Sequence, residues 1–263
     1  MKAWPLWCSE FIGTALLVGV GCSLVILDFS PSSPVAAILP DAGVRRAITG
    51  FLFGSVGALI AVSPVGVVSG AHINPAVTLA FWLEGRMRGD VALGYVLAQL
   101  GGGIVGAVPL RLWGVTGADV AFGATAPGAA GLWVAVLGEA GATFCLIAGL
   151  LLFVGHPRMR RFTPVFFPFL YALLVWLEAP LSGASTNPAR SLGPGLIAGD
   201  LHAWWIFWVG PLLGTLAAIG LRRVLPMARS FEIGVAKVFH FHHDRYGIFT
   251  EKSAPSQRSP SGQ

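Results

Sequence analysis

The stretch Ser69-Gly70-Ala71-His72-Ile73-Asn74-Pro75-Ala76 returns later in the chain as Ser182-Gly183-Ala184-Ser185-Thr186-Asn187-Pro188-Ala189, with six of eight positions identical. Upstream of the first copy stand Glu10 and Thr14; upstream of the second stand Glu139 and Thr143 at the same spacing. The chain therefore carries an internal duplication. In each copy the Asn-Pro-Ala opens a short apolar run, Asn74–Leu83 and Asn187–Ala198. Asn is a good helix N-cap and Pro suits the first helical turn, so each copy predicts a loop that turns into a short helix.

Around these boxes lie six longer apolar stretches, about Leu6–Leu27, Ala47–Val68, Val91–Trp113, Leu132–Val154, Thr163–Ala179 and Ala203–Leu221. A helix needs roughly 20 such residues to cross a bilayer, so these read as spans and the two box segments as too short to cross. Three spans per half make the second half enter from the opposite face, which is an inverted repeat. Composition agrees. Hydrophobic residues make up 55% and charged residues 11% of the 263, and the mean hydropathy is +0.74. A water-soluble domain so poor in charge would aggregate, which excludes an ordinary cytosolic enzyme and a disordered protein. The 35 glycines suit close helix packing in lipid. The first stretch is long, contains Glu10 and lacks a small-residue cleavage site, so it reads as a span rather than a signal peptide. The predicted fold is an all-α membrane protein of six transmembrane helices plus two re-entrant half-helices. It occupies 1–225, with halves of about 4–113 and 132–225. A polar tail, 226–263, is predicted to be disordered in part, above all over Lys252–Gln263.

With the N-terminus inside, Lys2, Arg86, Arg158, Arg222, Arg229, Arg245 and their neighbours bring 13 of the 17 Lys and Arg to the cytoplasmic side. Arg45, Arg46, Arg111 and Arg190 lie outside or within the membrane. This bias predicts a multi-pass protein of the plasma (inner) membrane with both termini cytoplasmic. The formal charge of +5 then reflects loops facing anionic lipid, not nucleic acid. Cys8, Cys22 and Cys145 lie in apolar stretches without metal-ligand spacing, which argues against a disulfide framework or zinc, and places them away from any constriction. His240, His242 and His243 read as solvated tail residues rather than a metal site, and no cofactor is expected.

Two half-helices entering from opposite faces meet N-terminus to N-terminus near the midplane, aiming free N–H groups and positive dipole ends at one spot. Asn74 and Asn187 can each cap the backbone and offer an N–H to a lumen. Unwound backbone at that depth is tolerable only where it lines a wet path. The carbonyls of Gly70, Ala71, His72, Ile73, Gly183, Ser185 and Thr186 would then form a ladder of acceptors. Glu10 and Glu139, costly in lipid, can accept N–H groups from the unwound loops and hold them in shape.

From about Trp4 to Leu225 these residues resemble the major intrinsic protein family, the aquaporins and aquaglyceroporins. The likeness rests on both Asn-Pro-Ala boxes (Asn74, Pro75, Ala76; Asn187, Pro188, Ala189), the paired Glu residues, Gln99 in the third span and Phe207-Trp208-Val209-Gly210-Pro211 in the sixth. It implies one pore per protomer, a homotetramer, and passive flow of water or small neutral solutes without any covalent step. It also implies a selectivity filter at Arg190, Ala184, Val175 and Phe53, with Gly54 as the alternative to Phe53. Arg190 would offer several donors to a hydroxyl and repel cations. Water-selective members usually carry His where this chain has Val175. The set therefore resembles nodulin-like plant channels and their bacterial relatives, which pass glycerol, urea or uncharged metalloid hydroxides such as arsenous acid. Ser191, where glycerol facilitators typically carry Asp, and Phe207-Trp208 point instead to a water-selective aquaporin. A junction or scaffold protein with a vestigial pore is the alternative of another class. An ion-coupled transporter would need a titratable relay, yet Glu10 and Glu139 are already used and Glu178 sits at a span end.

Overall fold

The computed structural model describes residues 3–225 and 233–244; Lys2, Arg229, Arg245 and the Lys252–Gln263 end lie outside the described residues. The described chain is helical, and its long helices follow the apolar stretches. They are α1 (Trp4–Phe29), α2 (Ala42–Val62), the short α3 (Pro75–Leu83), α4 (Gly89–Ala107), α5 (Leu132–Gly155), α6 (Thr163–Ser182), the short α7 (Pro188–Ala198) and α8 (Ile206–Val224). Five segments are long and apolar enough to cross a membrane: α1, α2, the run from α4 through Ala118, α5, and Arg160–Ser182. The sixth long helix, α8, has 19 residues and ends in Arg222 and Arg223.

The second stretch differs from its expected bounds. It starts earlier, at Ala42, where Asp41 caps the helix by accepting from Val44 N at 2.7 Å. It stops at Val62, because Ser63-Pro64 starts a new short helix, Pro64–Ser69, with Ser63 as its cap. Pro cannot continue the preceding helix, and the residue before it is pushed out of the helical region. That break separates the span from the re-entrant loop.

Packing repeats with the sequence. α1 packs on α4 as α5 packs on α8; α3 of the first half lies against α8, and α7 of the second against α4; α2 and α6 pair across the two halves. Small residues set these approaches. A Cβ on Gly102 or Gly106 would stand 2.3 Å from the carbonyl oxygens of Phe11 and Ala15. A Cβ on Gly210 or Gly214 would meet Glu139 Cβ at 2.4 Å and Ala140 O at 2.3 Å, and one on Gly50 would stand 2.3 Å from Tyr171 O. Glycines four apart on one face let backbones touch where lipid supplies no hydrophobic drive between helices. The surface is correspondingly apolar, with Ile12, Leu16, Leu93, Leu97, Phe169 and Leu213 exposed, while Glu10, Thr14, Gln99, Glu139 and Thr143 are fully buried.

Candidate functional site

The two boxes meet inside the molecule. Asn74 and Asn187 are the N-caps of α3 and α7. Asn74 Oδ1 accepts from Ala76 N at 2.8 Å, and Asn187 Oδ1 accepts from Ala189 N at 3.1 Å and Arg190 N at 3.3 Å. Each side-chain amide then crosses to the other loop. Asn74 Nδ2 donates to Thr186 O and Asn187 Nδ2 to Ile73 O, both at 2.9 Å. This reciprocal pair ties the halves together and leaves each amide one further N–H.

The loops before the caps hold an unusual backbone. Gly70, Ala71 and Ile73 have positive φ (86°, 51°, 42°), and so do Gly183, Ala184 and Thr186 (89°, 53°, 51°). Ile and Thr are branched at Cβ and rarely adopt this region. Two buried carboxylates compensate. Glu10 accepts from His72 N at 2.9 Å, Ile73 N at 2.6 Å and Gln99 Nε2 at 2.7 Å. Glu139 accepts from Ser185 N and Thr186 N, each at 2.7 Å, and from Ser182 Oγ at 2.6 Å. A trans peptide points its N–H and its carbonyl in opposite directions. The carbonyls of Ala71, His72, Ala184 and Ser185 therefore face away from the carboxylates. The ladder read from the sequence divides accordingly: Ile73 O and Thr186 O already accept the Asn amides, and Gly70 O accepts from Val238 N at 3.0 Å. The position of Gly183, with φ 89°, ends α6.

A cavity runs past both asparagines, lined by Leu17, Phe53, Val77, Leu146, Phe167 and Tyr171 with the Ala71–Asn74 loop. Arg190 is 5% exposed; its Nη1 donates to Gly123 O at 2.8 Å and its guanidinium carbon lies 5.5 Å from the Phe53 ring centre. Phe53, not Gly54, thus presents a side chain to Arg190. Gly54 lines the same cavity and is tightly packed, since a Cβ there would stand 2.8 Å from Phe167 O. Ala184 is buried in the second loop, and Val175 packs over Gly50, where an added Cβ would lie 2.8 Å from the Val175 Cβ. Ser191 bonds Thr125 Oγ1 at 2.7 Å and touches the Ser185 hydroxyl.

Two participants escaped the sequence reading, Tyr171 and Gly123, and a third, Glu178, was placed there only at a span end. Tyr171 lines the cavity, stacks on Phe53 at 6.4 Å and bonds Thr186 Oγ1 through its hydroxyl at 3.1 Å. Its signal was its place one helical turn before Val175. Gly123 carried no signal; only the chain's path brings its carbonyl to Arg190. Glu178 is buried and shares the Ser182 hydroxyl with Glu139, so its place near a span end did not make it peripheral. Cys22 is fully buried against Gly123, nearer the Arg190 support than expected, whereas Cys8 and Cys145 are exposed. Among the described residues no group of three His, Cys, Asp or Glu side chains converges as a metal site.

Comparison with known proteins gives concordant findings. The family model for the major intrinsic protein matches residues 1–221. Aquaporin Z of Photorhabdus laumondii is 31% identical over 233 residues, covering 82% of this chain and 95% of that protein. A probable aquaporin TIP2-2 of Arabidopsis thaliana is 33% identical over 213 residues, covering 79% and 82%. In structure the chain is similar to the aquaglyceroporin from Plasmodium falciparum, with a TM-score of 0.69 at 19% identity, covering 87% of this chain and 99% of that one.

Proposed function

The chain belongs to the major intrinsic protein family, whose members are channels and not enzymes, and we propose that it passes water together with small neutral solutes such as glycerol, urea or arsenous acid while excluding protons and ions. The observation that carries this reading is the polarity of the path. Phe53 joins two surroundings: its ring lies 5.5 Å from the guanidinium of Arg190, whose Nη1 is pinned by Gly123 O, and it lines the cavity whose wall includes the apolar Leu17, Val77 and Leu146 and the amides of Asn74 and Asn187. A solute with hydroxyls on one flank and carbon or arsenic on the other exchanges its lost hydration for such a lining.

Exclusion of protons follows from the two asparagines. A water passing them accepts from both free amide N–H groups, so its own hydrogens point away along the path and the proton wire reverses there. The opposed N-termini of α3 and α7 add a positive potential against cations. The protein works as a multi-pass homotetramer of the inner membrane with both termini cytoplasmic and one pore in each protomer. Proteoliposomes assayed in parallel for water, glycerol, urea and arsenous acid test the reading. Water flux alone would favour a water-selective aquaporin, a reading supported by the Tyr171 ring beside Phe53, and flux at the level of empty liposomes would favour a scaffold role.

A further inference from the structure

Part of the segment 233–244 is withdrawn from solvent, while His242 and His243 stay exposed, as expected of a solvated tail. Ile233, Ala236 and Val238 are buried, and Lys237 is 1% exposed. The segment folds back over the first re-entrant loop. Val238 N donates to Gly70 O at 3.0 Å, Lys237 Nζ to Val67 O at 2.7 Å, and His72 Nε2 sits 2.9 Å from Ala236 O. A carbonyl only accepts, so His72 Nε2 is the donor there. His240 Nε2 lies 3.2 Å from Val62 O. On the other side, Arg160, from the loop joining α5 and α6, stands 5.4 Å from the Phe241 ring centre. The segment thus bridges loops of both halves.

Its position matters more than its burial. Val238 lines the same cavity as Asn74 and Asn187. The Lys237 backbone lies so close to the loop that a Cβ on Gly70 would meet its Cα at 2.9 Å. Gly70 O, an acceptor that an entering solute would use, is already bonded to the tail. An apolar side chain at the mouth of a narrow path removes the hydrogen bonds that would replace hydration and favours dewetting.

Resting on the channel reading, we propose that residues 233–241 are an autoinhibitory plug that seats Val238 in the mouth of the pore and must withdraw for solute to pass. The contacts fit a reversible device: hydrogen bonds to the carbonyls of Val62, Val67 and Gly70 and from His72 to Ala236 O, plus the apolar seats of Ile233 and Ala236. These bonds are made ahead of α3 and not to α3 or α7 themselves.

The test uses full-length protein in liposomes, with water flux per channel read by stopped-flow light scattering. Lys237→Glu sets a carboxylate against the Val67 carbonyl. Val238→Pro removes the N–H that Gly70 O accepts. Losing either bond shifts the docked-to-withdrawn ratio by about tenfold, and flux should rise by about threefold or more. A rise is not a result that misfolding produces. A third sample carries a site-specific protease sequence between Leu225 and Ile233 and is cut after reconstitution, with flux expected to rise on cutting. Unchanged flux in both variants and after cutting, from a wild type that already conducts, overturns the plug and leaves the channel standing. Flux at the empty-liposome level in every sample overturns the channel reading, and the plug with it.

Discussion

Replacing Glu10 with Gln changes neither the length nor the shape of the side chain, yet it should unseat the first re-entrant loop. The wild-type carboxylate takes three donors: His72 N on one oxygen, Ile73 N and Gln99 Nε2 on the other. A carboxamide has one acceptor oxygen and an NH2. If the oxygen faces Ile73 and Gln99, the NH2 meets the His72 N–H. If it faces His72, the NH2 meets the Ile73 N–H, and Gln99 can help only by turning over and giving up its 2.9 Å bond to Thr78 Oγ1. Either way one buried backbone N–H loses its acceptor, at about 1–3 kcal/mol, and the surviving bonds lose their charge assistance, about 1 kcal/mol more. The total, about 2–4 kcal/mol, falls on a loop that also holds Ala71 and Ile73 at φ 51° and 42°. Such left-handed positions persist only while the surroundings hold them. Thermal unfolding of the purified protein should move down by roughly 5–10 °C. Water flux in liposomes should fall by about tenfold or more as the loop leaves its conducting shape. A Glu10→Gln protein with the wild-type Tm and wild-type flux would refute the assignment of the carboxylate as the clamp on this loop.

Substituting Val175→His should cut glycerol and arsenous acid uptake far more than water uptake, by roughly 5- to 150-fold if one unmet hydrogen bond enters the barrier; equal loss of all fluxes in a fully assembled protein argues against a filter at Val175. Mercury should leave the parent channel open and inhibit the Ala184→Cys variant; a parent that is blocked until Cys22→Ser is introduced would show that the path reaches Cys22 beside Gly123. Burial in the docked tail pulls Lys237 down to about 8, against an ordinary lysine at about 10.4, with the Asp244 carboxylate opposing the shift and the His72 ring facing the ammonium. The docked tail then holds fewer protons than the free one across that window, so docking tightens as pH rises through it. Flux should fall between about pH 8 and 10, and Lys237→Gln should flatten the slope; a flux that rises with pH contradicts the sign.

Much of this architecture was legible because a bilayer leaves a chain few choices. Backbone polar groups in lipid must be satisfied within the segment, so long apolar stretches become helices, and two copies of Asn-Pro-Ala mark where short ones begin. The Glu10 and Glu139 contacts were legible too, since a buried carboxylate must find donors and the unwound loops have N–H groups to spare. The exact end of α2 was not, because hydropathy runs unbroken to Val68 while the backbone obeys Pro64. Other features depended on contacts between residues far apart in the chain. Periodicity cannot tell which face of an all-apolar helix looks inward. Only packing showed Phe53 beside Arg190, Gly54 in the same cavity and pressed on the Phe167 carbonyl, and Tyr171 stacked on Phe53. Gly123 serves Arg190 through a backbone carbonyl, which every residue owns and no residue type announces. The tail was the hardest to read. Its composition is polar, but Ile233, Ala236 and Val238 are buried together, and the segment meets the Val67 carbonyl of one half and Arg160 of the other only once the chain has folded. The sequence by itself determined the spans, the duplication and the clamped boxes, because these follow from local chemistry in lipid. Tertiary structure alone decided which side chains line the cavity beside the two asparagines and that the 233–241 segment packs over the first loop, because those are relations between surfaces that composition does not encode.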